Sequence, residues 1–252
     1  MPILGLIKSR GLGRAAAEAL LIMFGVLAAL AVQSWWDDKV EQQILLSHLT
    51  AVQDELREVR ESITENLRQS GQVVDQTITV MMMLADRKTK AMPDSFIERV
   101  SEMYEIKMPD MPTSAYDAFV SSGSLRLVKD RALRAMLAQY GNEVEEVDQI
   151  NQVMWSVYYD LQAPFLNKHF VLSDFGWPIV TEDAFGERIY SLAEIPKAPN
   201  TPDWDAIRSL EFWNLVYTWR IAYNDQIGAV IRLQRYCKQL EDLLQAEIRY
   251  LE

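Results

Sequence analysis

The residues best suited to metal or nucleophilic chemistry are few and far apart. The chain has two histidines, His48 and His169, and one cysteine, Cys237. A zinc site needs three or four His, Cys or carboxylate ligands at compatible spacing, and neither histidine has such neighbours. No serine lies in the G-x-S-x-G turn of hydrolases, and the Ser-Ser-Gly run at 121–123 is typical of a helix end. The sequence therefore predicts no metal, no cofactor and no catalytic residue.

The densest group of acids is no better suited to catalysis. Glu143, Glu145, Glu146 and Asp148 fall on successive faces of a predicted helix, so their carboxylates diverge and a solvated surface is expected. Carboxylate pairs for glycoside hydrolysis are compatible with the sequence, but nothing singles one out. The glycines at 11 and 13 lie in a short basic tail and do not form a phosphate-binding loop.

Aromatic side chains form two dense groups in the second half of the chain, the first from Trp155 to Trp177 and the second from Trp204 to Tyr223. We expect these groups to meet, because the segment between them joins the two helices that carry them. They either pack in the core or present a patch to a partner protein, where Trp and Tyr are enriched. The candidate patch residues are Trp177, Trp204, Trp213 and Trp219.

An apolar segment near the amino terminus is expected to hold the whole chain at a membrane. Residues 15–36 are the only stretch long enough to cross a membrane. At about 1.5 Å per residue they span roughly 33 Å, against a hydrocarbon core of about 30 Å. We interpret this segment as a transmembrane anchor. The alternative is a cleaved signal peptide, but Glu18 interrupts the junction where such a peptide becomes apolar.

The flanks of the anchor predict its orientation. Basic residues precede it and Asp37 and Asp38 follow it, so the amino terminus is expected inside. Arg14, Trp35 and Trp36 are the expected interface anchors. This predicts a cytoplasmic tail at 1–14 and a periplasmic domain at 37–252, held by the inner membrane.

One stripe of the anchor is suited to contact another helix. At 100° per residue, Gly25 and Ala29 lie 20° to either side of Glu18. Two small residues four apart allow helices to approach closely, and an acid on the same stripe can meet a donor on a neighbour. The alternative is that Glu18 reaches interfacial water and the small residues occur by chance.

Composition separates the two parts of the chain. The 252 residues are 49% hydrophobic and 24% charged, with a net charge of −11. Three cations and one anion give residues 1–36 a charge of +2, which leaves −13 for residues 37–252. An acidic outer domain argues against nucleic acid and is compatible with a basic protein partner. A single cysteine allows no intrachain disulfide.

Hydrophobic periodicity predicts an all-α fold with two long helices. A seam of apolar residues continues from the anchor to about residue 86, and its positions are 45, 49, 52, 56, 59, 63, 67, 74, 78 and 81. Another seam, which includes Ile227, runs from about 205 to 251. Such helices are expected to pack antiparallel in a multi-helix bundle, with a two-chain coiled coil, and hence a homo-oligomer, as the alternative. Shorter helices are expected at 94–107 and at 114–122, the second capped by Thr113 or by Ser114 in a capping box with Asp117. A further helix is expected to begin at an Asp130 cap and to end at Pro164. An irregular segment is expected at about 163–205.

Two blocks of the sequence resemble a known family. The first runs from Glu18-Ala-Leu-Leu-Ile to Trp35-Trp36-Asp37-Asp38-Lys39. The second is the run Ser114-Ala-Tyr-Asp-Ala-Phe followed by Ser121-Ser-Gly-Ser-Leu. Together they are similar to a family of uncharacterised bacterial single-pass membrane proteins with a domain of unknown function. Ala17 and the Trp pair depart from its usual glycine and single tryptophan. The resemblance implies topology and helical class, and no activity.

These features favour a non-enzymatic accessory or structural subunit. The helical domain would sit on the periplasmic face and contact membrane protein subunits of a larger complex, respiratory or photosynthetic among the candidates. A periplasmic sensor or ligand-binding module is the alternative, although only about fourteen residues remain for a cytoplasmic output. A periplasmic hydrolase is the third reading. The expected partners are other subunits and the lipid bilayer.

Overall fold

The computed structural model describes residues 6–86, 88, 90–175 and 201–251, with side chains from residue 18 onward. Within those residues the fold is all-α with no strand, as the sequence predicts. Trp177 and most of the segment expected to be irregular lie outside the described residues.

The first helix, α1, is continuous from Leu6 to Ala85. Its 80 residues extend about 120 Å, and no proline lies within it. Beyond the anchor, the core-facing residues of α1 are spaced alternately four and three apart. This is a strict heptad repeat, which favours a left-handed supercoil of α1 with the helices that pack against it. The positions of this repeat are 45, 49, 52, 56, 59, 63, 66, 70, 73, 77, 80 and 84, and Glu55 is buried beside it.

The last helix, α7, spans Leu210–Leu251 and packs antiparallel on α1, as predicted. Gln42 Nε2 donates to the carbonyl of Leu251 at 3.0 Å near one end, and Ser70 Oγ donates to Gln226 Oε1 at 3.3 Å farther along. The predicted start at Asp205 is wrong. A separate turn, α6 (Trp204–Ile207), comes first, with its amino end capped by Asp203.

Two short helices run back along α1. Helix α2 (Phe96–Met103) lies beside the far part of α1, where Arg99 donates to Gln76 at 3.3 Å. Helix α3 (Ser114–Ser121) lies nearer the anchor, and Gly123, with a φ of +74°, turns the chain just after it. The chain then reaches Glu41, which Arg126 contacts at 3.0 Å. Prolines 109 and 112 keep this wall of the bundle from forming one helix.

The expected capping box of α3 does not form. Thr113 Oγ1 donates to the Asp117 carboxylate, so that carboxylate does not close on Ser114. Instead Glu55, buried on α1, accepts hydrogen bonds from the backbone N–H groups of Ala115 at 2.7 Å and Tyr116 at 3.0 Å. A carboxylate from a distant helix thus satisfies the free donors of α3 and complements its dipole.

Helix α4 (Arg131–Ser156) is capped by Asp130, as predicted, at 2.7 Å from the N–H of Leu133. It runs antiparallel to α7 and therefore parallel to α1.

The prediction that Pro164 ends this helix is wrong. A π-helical turn at Val157–Gln162 leads into α5 (Ala163–His169), which holds Pro164 in its first turn. A proline is tolerated there because the first helical N–H groups need no helical acceptor.

Two hydrophobic clusters form the core, one near the anchor and one far from it. A polar layer lies between them. Gln226 Nε2 donates to the carbonyl of Lys107 at 2.9 Å and to Asn151 Oδ1 at 3.1 Å, and its Oε1 accepts from Ser70. Asn66 is also buried in this region. The layer ties α1, α4, α7 and the 104–113 segment together at one level.

The polar layer corrects the predicted helix phases. Apolar residues suggested that the seam of α1 continues through positions 67, 74, 78 and 81, but the buried positions come one residue earlier and include Asn66, Ser70 and Thr77. On α7, Ile227 is only half-buried, and Gln226 occupies the core position beside it. Buried polar residues carry no hydrophobic signal, so periodicity alone misplaces these turns.

Candidate functional site

Within the described residues, the apolar segment predicted to be the anchor forms an extended exposed apolar surface. Every residue from 18 to 36 is exposed, and no part of the bundle covers them. Within the described residues, α1 is the one helix that is long and apolar enough to cross a membrane, with a mean hydropathy of 1.9 over its best window. A lipid-facing helix requires such a uniformly apolar surface.

The predicted partner-helix face is present as a continuous stripe. Because α1 is helical across Glu18, Gly25 and Ala29, the three residues lie on the same side of the helix. A Cβ atom added at Gly25 would meet nothing within 4 Å. The stripe is therefore open for another helix, and larger side chains there would not disturb the chain itself.

The predicted interface anchors lie at both ends of the segment. Trp35 and Trp36 are 58% and 60% exposed, and their ring centroids are 6.5 Å apart. The backbone of Arg14 is part of α1, but its side chain lies outside the described residues. The tryptophan pair directly precedes the acidic residues Asp37 and Asp38, so the apolar surface ends abruptly there.

Of the candidate patch tryptophans, Trp219 belongs to the core. It is fully buried and its indole N–H donates to the carbonyl of Met103 at 2.7 Å. It is therefore not part of an exposed patch. Trp204 and Trp213 are half-buried against the far core cluster, and Trp204 packs edge-on to Phe96 at 5.0 Å.

The two aromatic groups meet, as predicted. Phe165 stacks on Phe212 with centroids 5.1 Å apart and an interplanar angle of 13°. Tyr158 lies 6.1 Å from Trp219. These contacts join α5 and the π-helical turn to α7, so most of the aromatic residues stabilise the far end of the bundle.

An exposed aromatic pair lies beside the π-helical turn. Trp155 and Tyr159 stack at 5.5 Å with an interplanar angle of 18°, and Tyr159 is 61% exposed. Val153 and Leu161 are also exposed nearby. The sequence places these aromatic residues in the first group but does not show that this pair faces outward, because the π-helical turn changes the side-chain phase by about one residue.

The histidines and the cysteine occupy separate structural positions. His48 Nδ1 is 2.9 Å from Ser124 Oγ, and His169 Nδ1 is 3.5 Å from the Asp203 carboxylate. Cys237 is buried in the core, and burial raises the pKa of its thiol to about 12. In the described part of the chain, no three His, Cys, Asp or Glu residues are grouped so that they could hold a metal ion.

The acidic cluster of α4 diverges. Glu146 pairs with Arg232 of α7 at 2.5 Å, whereas Glu143 and Glu145 accept hydrogen bonds from glutamines four residues away. The two glutamine contacts are ordinary surface interactions along one helix, and the Glu146–Arg232 pair is an exposed ion pair between two helices. The four carboxylates do not converge on one point.

Comparison of the chain with protein-family models, with curated proteins and with solved structures finds no match. The similarity to a family of uncharacterised membrane proteins therefore stays a prediction.

Proposed function

We propose that this chain is a single-pass protein of the bacterial inner membrane, with its helical bundle in the periplasm. In this proposal it is a non-enzymatic accessory subunit that binds other membrane protein subunits. The anchor would contact a partner helix, and the bundle would present further contacts outside the bilayer.

The observation that carries this proposal is the continuity of α1. The same helix forms the exposed apolar segment and, without a break, the first wall of the bundle. A flexible linker would let the outer domain move freely, whereas a continuous helix fixes its orientation relative to the anchor. A fixed orientation suits a protein that must contact partners both within and outside the membrane.

Two surfaces support protein contacts. The Glu18–Gly25–Ala29 stripe is open in the anchor, and small residues permit close helix packing. The stacked Trp155–Tyr159 pair lies on the far part of the bundle, and exposed aromatic residues are enriched at interfaces. The negative charge of the outer domain favours partners with basic surfaces.

The separation of the histidines and the cysteine supports a non-enzymatic role, because these residues are the best candidates for a catalytic base and a nucleophile. His48 contacts Ser124, His169 contacts Asp203, and Cys237 is buried in the core, so none of the three lies beside another. A buried thiol with a raised pKa is a poor nucleophile, because the thiolate is the reactive species.

Co-purification in mild detergent, followed by mass spectrometry, tests the proposal. A tag after Glu252 should recover one or more membrane proteins in fixed ratio. Recovery of the chain alone, or with a stoichiometric small molecule, would contradict the subunit proposal, and the second result would favour a ligand-binding module.

A proline variant tests whether continuity of α1 matters. Val40 lies between the anchor and the buried part of the bundle and is exposed. Val40→Pro removes its backbone N–H and should kink α1 there. We expect the variant to insert and fold but to lose its partners, whereas Val40→Ala should keep them. Equal recovery with both variants would show that a rigid connection is not needed.

A further inference from the structure

A cavity lies at the base of the bundle, on the side of the anchor. It has a volume of about 440 Å³ and lies between the start of the buried part of α1, the turn before α4 and the last turns of α7. Acidic, basic and apolar side chains line it together. They include Asp38, Glu41, Leu45, Lys129, Glu247 and Tyr250.

The position of the cavity along α1 places it at the level of lipid headgroups. Asp38 follows Trp36 by two residues and Leu45 follows it by nine, which correspond to about 3 and 14 Å along a helix. Tryptophans at the end of a membrane helix lie at the interface with the headgroups. This step depends on the membrane placement proposed above.

Glu247 gives the cavity its chemical character. It occupies a core position of the α7 heptad, where the other residues are mostly apolar, and it is 8% exposed. Its Oε1 is buried and has no hydrogen-bond partner among the described residues. Glu41, by contrast, is paired with Arg126 at 3.0 Å. A buried carboxylate oxygen without a donor is unfavourable, and none of the donors that line this cavity, Gln42, Lys129 and Tyr250, bonds to Oε1 of Glu247.

We propose that the cavity binds the headgroup of phosphatidylethanolamine. Its primary ammonium group would donate to Glu247, and its phosphate would face the exposed Lys129 at the rim. The ammonium group supplies a positive charge opposite the Glu247 carboxylate and N–H donors for its Oε1, which has no hydrogen-bond partner among the described residues. A choline headgroup carries the same charge but has no N–H, so it does not satisfy Glu247.

The test uses the full-length protein in nanodiscs that contain equal amounts of phosphatidylethanolamine and phosphatidylcholine. Native mass spectrometry of the released protein counts the lipids that stay bound. We expect the wild type to retain one phosphatidylethanolamine in preference to phosphatidylcholine. Glu247→Gln should reduce this preference about tenfold, as expected for one lost charge-assisted hydrogen bond. Asp242→Asn, an exposed charge change on the same helix, should keep it.

A headgroup series tests the donor requirement on the unmodified protein. Mono- and dimethylated phosphatidylethanolamine retain N–H groups, whereas phosphatidylcholine has none. Retention should therefore fall mainly at the last methylation. Equal retention across the series overturns the inference, as does loss of a co-purifying polypeptide from Glu247→Gln with unchanged lipid preference. A protein that does not enter nanodiscs at all contradicts the membrane placement as well.

Discussion

The carboxylate of Glu55 on α1 accepts a hydrogen bond from the backbone N–H of Tyr116, in the first turn of α3, at 3.0 Å. The same carboxylate accepts from Ala115 and from the hydroxyl of Ser114. Glu55 is buried beneath these contacts. One side chain therefore positions a short helix that has no internal cap, and it fixes the wall of the bundle nearest the anchor.

Removal of this carboxylate should destabilise the bundle. Glu55→Ala leaves buried N–H groups without an acceptor, so we expect a loss of about 2 kcal/mol in the free energy of unfolding. Glu55→Gln should lose less, because its amide oxygen can still accept. The measurement is urea unfolding in detergent, followed by circular dichroism. Glu58→Ala changes an exposed acid on the same helix and should have little effect; equal midpoints for Glu55→Ala and Glu58→Ala would contradict this role.

Two positions about one turn apart on α7, 227 and 230, test the corrected helix phase. Val230 is fully buried, whereas Ile227 is half-buried. Val230→Asp places an unpaired charge in the core and should lower the free energy of unfolding by about 3 kcal/mol or more. Leu56→Asp on α1 should behave in the same way. Ile227→Asp should lower the thermal midpoint much less, and an equal loss at 227 and 230 would show that the observed phase is wrong.

The buried thiol predicts a specific response to alkaline pH. Burial raises the pKa of Cys237 from about 9 to about 12, so above pH 9 the unfolded chain releases this proton before the folded chain does. Stability should therefore fall as pH rises from 9 towards 12, by about 1.4 kcal/mol per pH unit from this group. Chemical unfolding at pH 8 and pH 10 should show a smaller alkaline loss for Cys237→Ala than for the wild type.

Thiol labelling checks the burial of Cys237 directly. At pH 8 a thiol reagent should react slowly with the folded protein and completely once urea unfolds it, because the thiol is buried and protonated in the fold. Fast labelling of the folded protein would contradict the expected protection.

Enlarging the small residues of the anchor should separate insertion from assembly. Leucine favours the bilayer, so Gly25→Leu with Ala29→Leu should insert normally. The added side chains should keep a partner helix at a distance, and co-purification should fall sharply. Glu18→Ala should weaken the complex less. Ala28→Leu with Ala31→Leu enlarges other faces and should leave assembly intact. Unchanged recovery with the Gly25–Ala29 variant would show that the anchor is only a tether.

The charge pattern around the anchor predicts a periplasmic carboxyl terminus. The basic residues come before the anchor and the acids come after it. A fluorescent protein that folds only in the cytoplasm should stay dark when fused after Glu252, and alkaline phosphatase at the same position should be active. The same fluorescent protein fused before Met1 should be bright. The reverse pattern would reverse the orientation.

Much of the architecture follows from local signals in the sequence. The apolar run that precedes Asp37, the Asp130 cap and the turn at Gly123 each depend on a few neighbouring residues, and each is present in the structure. The long first and last helices are predictable for the same reason, since their periodicity persists over many turns.

The candidate surfaces for protein contacts were only partly predictable. The stripe through Glu18, Gly25 and Ala29 follows from helix geometry alone, whereas the exposure of each tryptophan does not. Trp219 and Trp155 both have tyrosines nearby in the sequence, yet Trp219 is fully buried and Trp155 is 37% exposed. Trp219 packs against Tyr104 from a distant segment, whereas the rings beside Trp155 are those of its own neighbours, Tyr158 and Tyr159.

The sequence by itself determined the exposed apolar segment, the helical class and the approximate positions of the long helices, because helix propensity and hydrophobic periodicity act between near neighbours. Only the tertiary structure decided which polar residues lie inside. Glu55 caps a helix 60 positions away, Gln226 joins three helices, and Glu247 faces a cavity at the base of the bundle. Each of these roles depends on hydrogen-bonding groups or space supplied by distant segments, which no local pattern records.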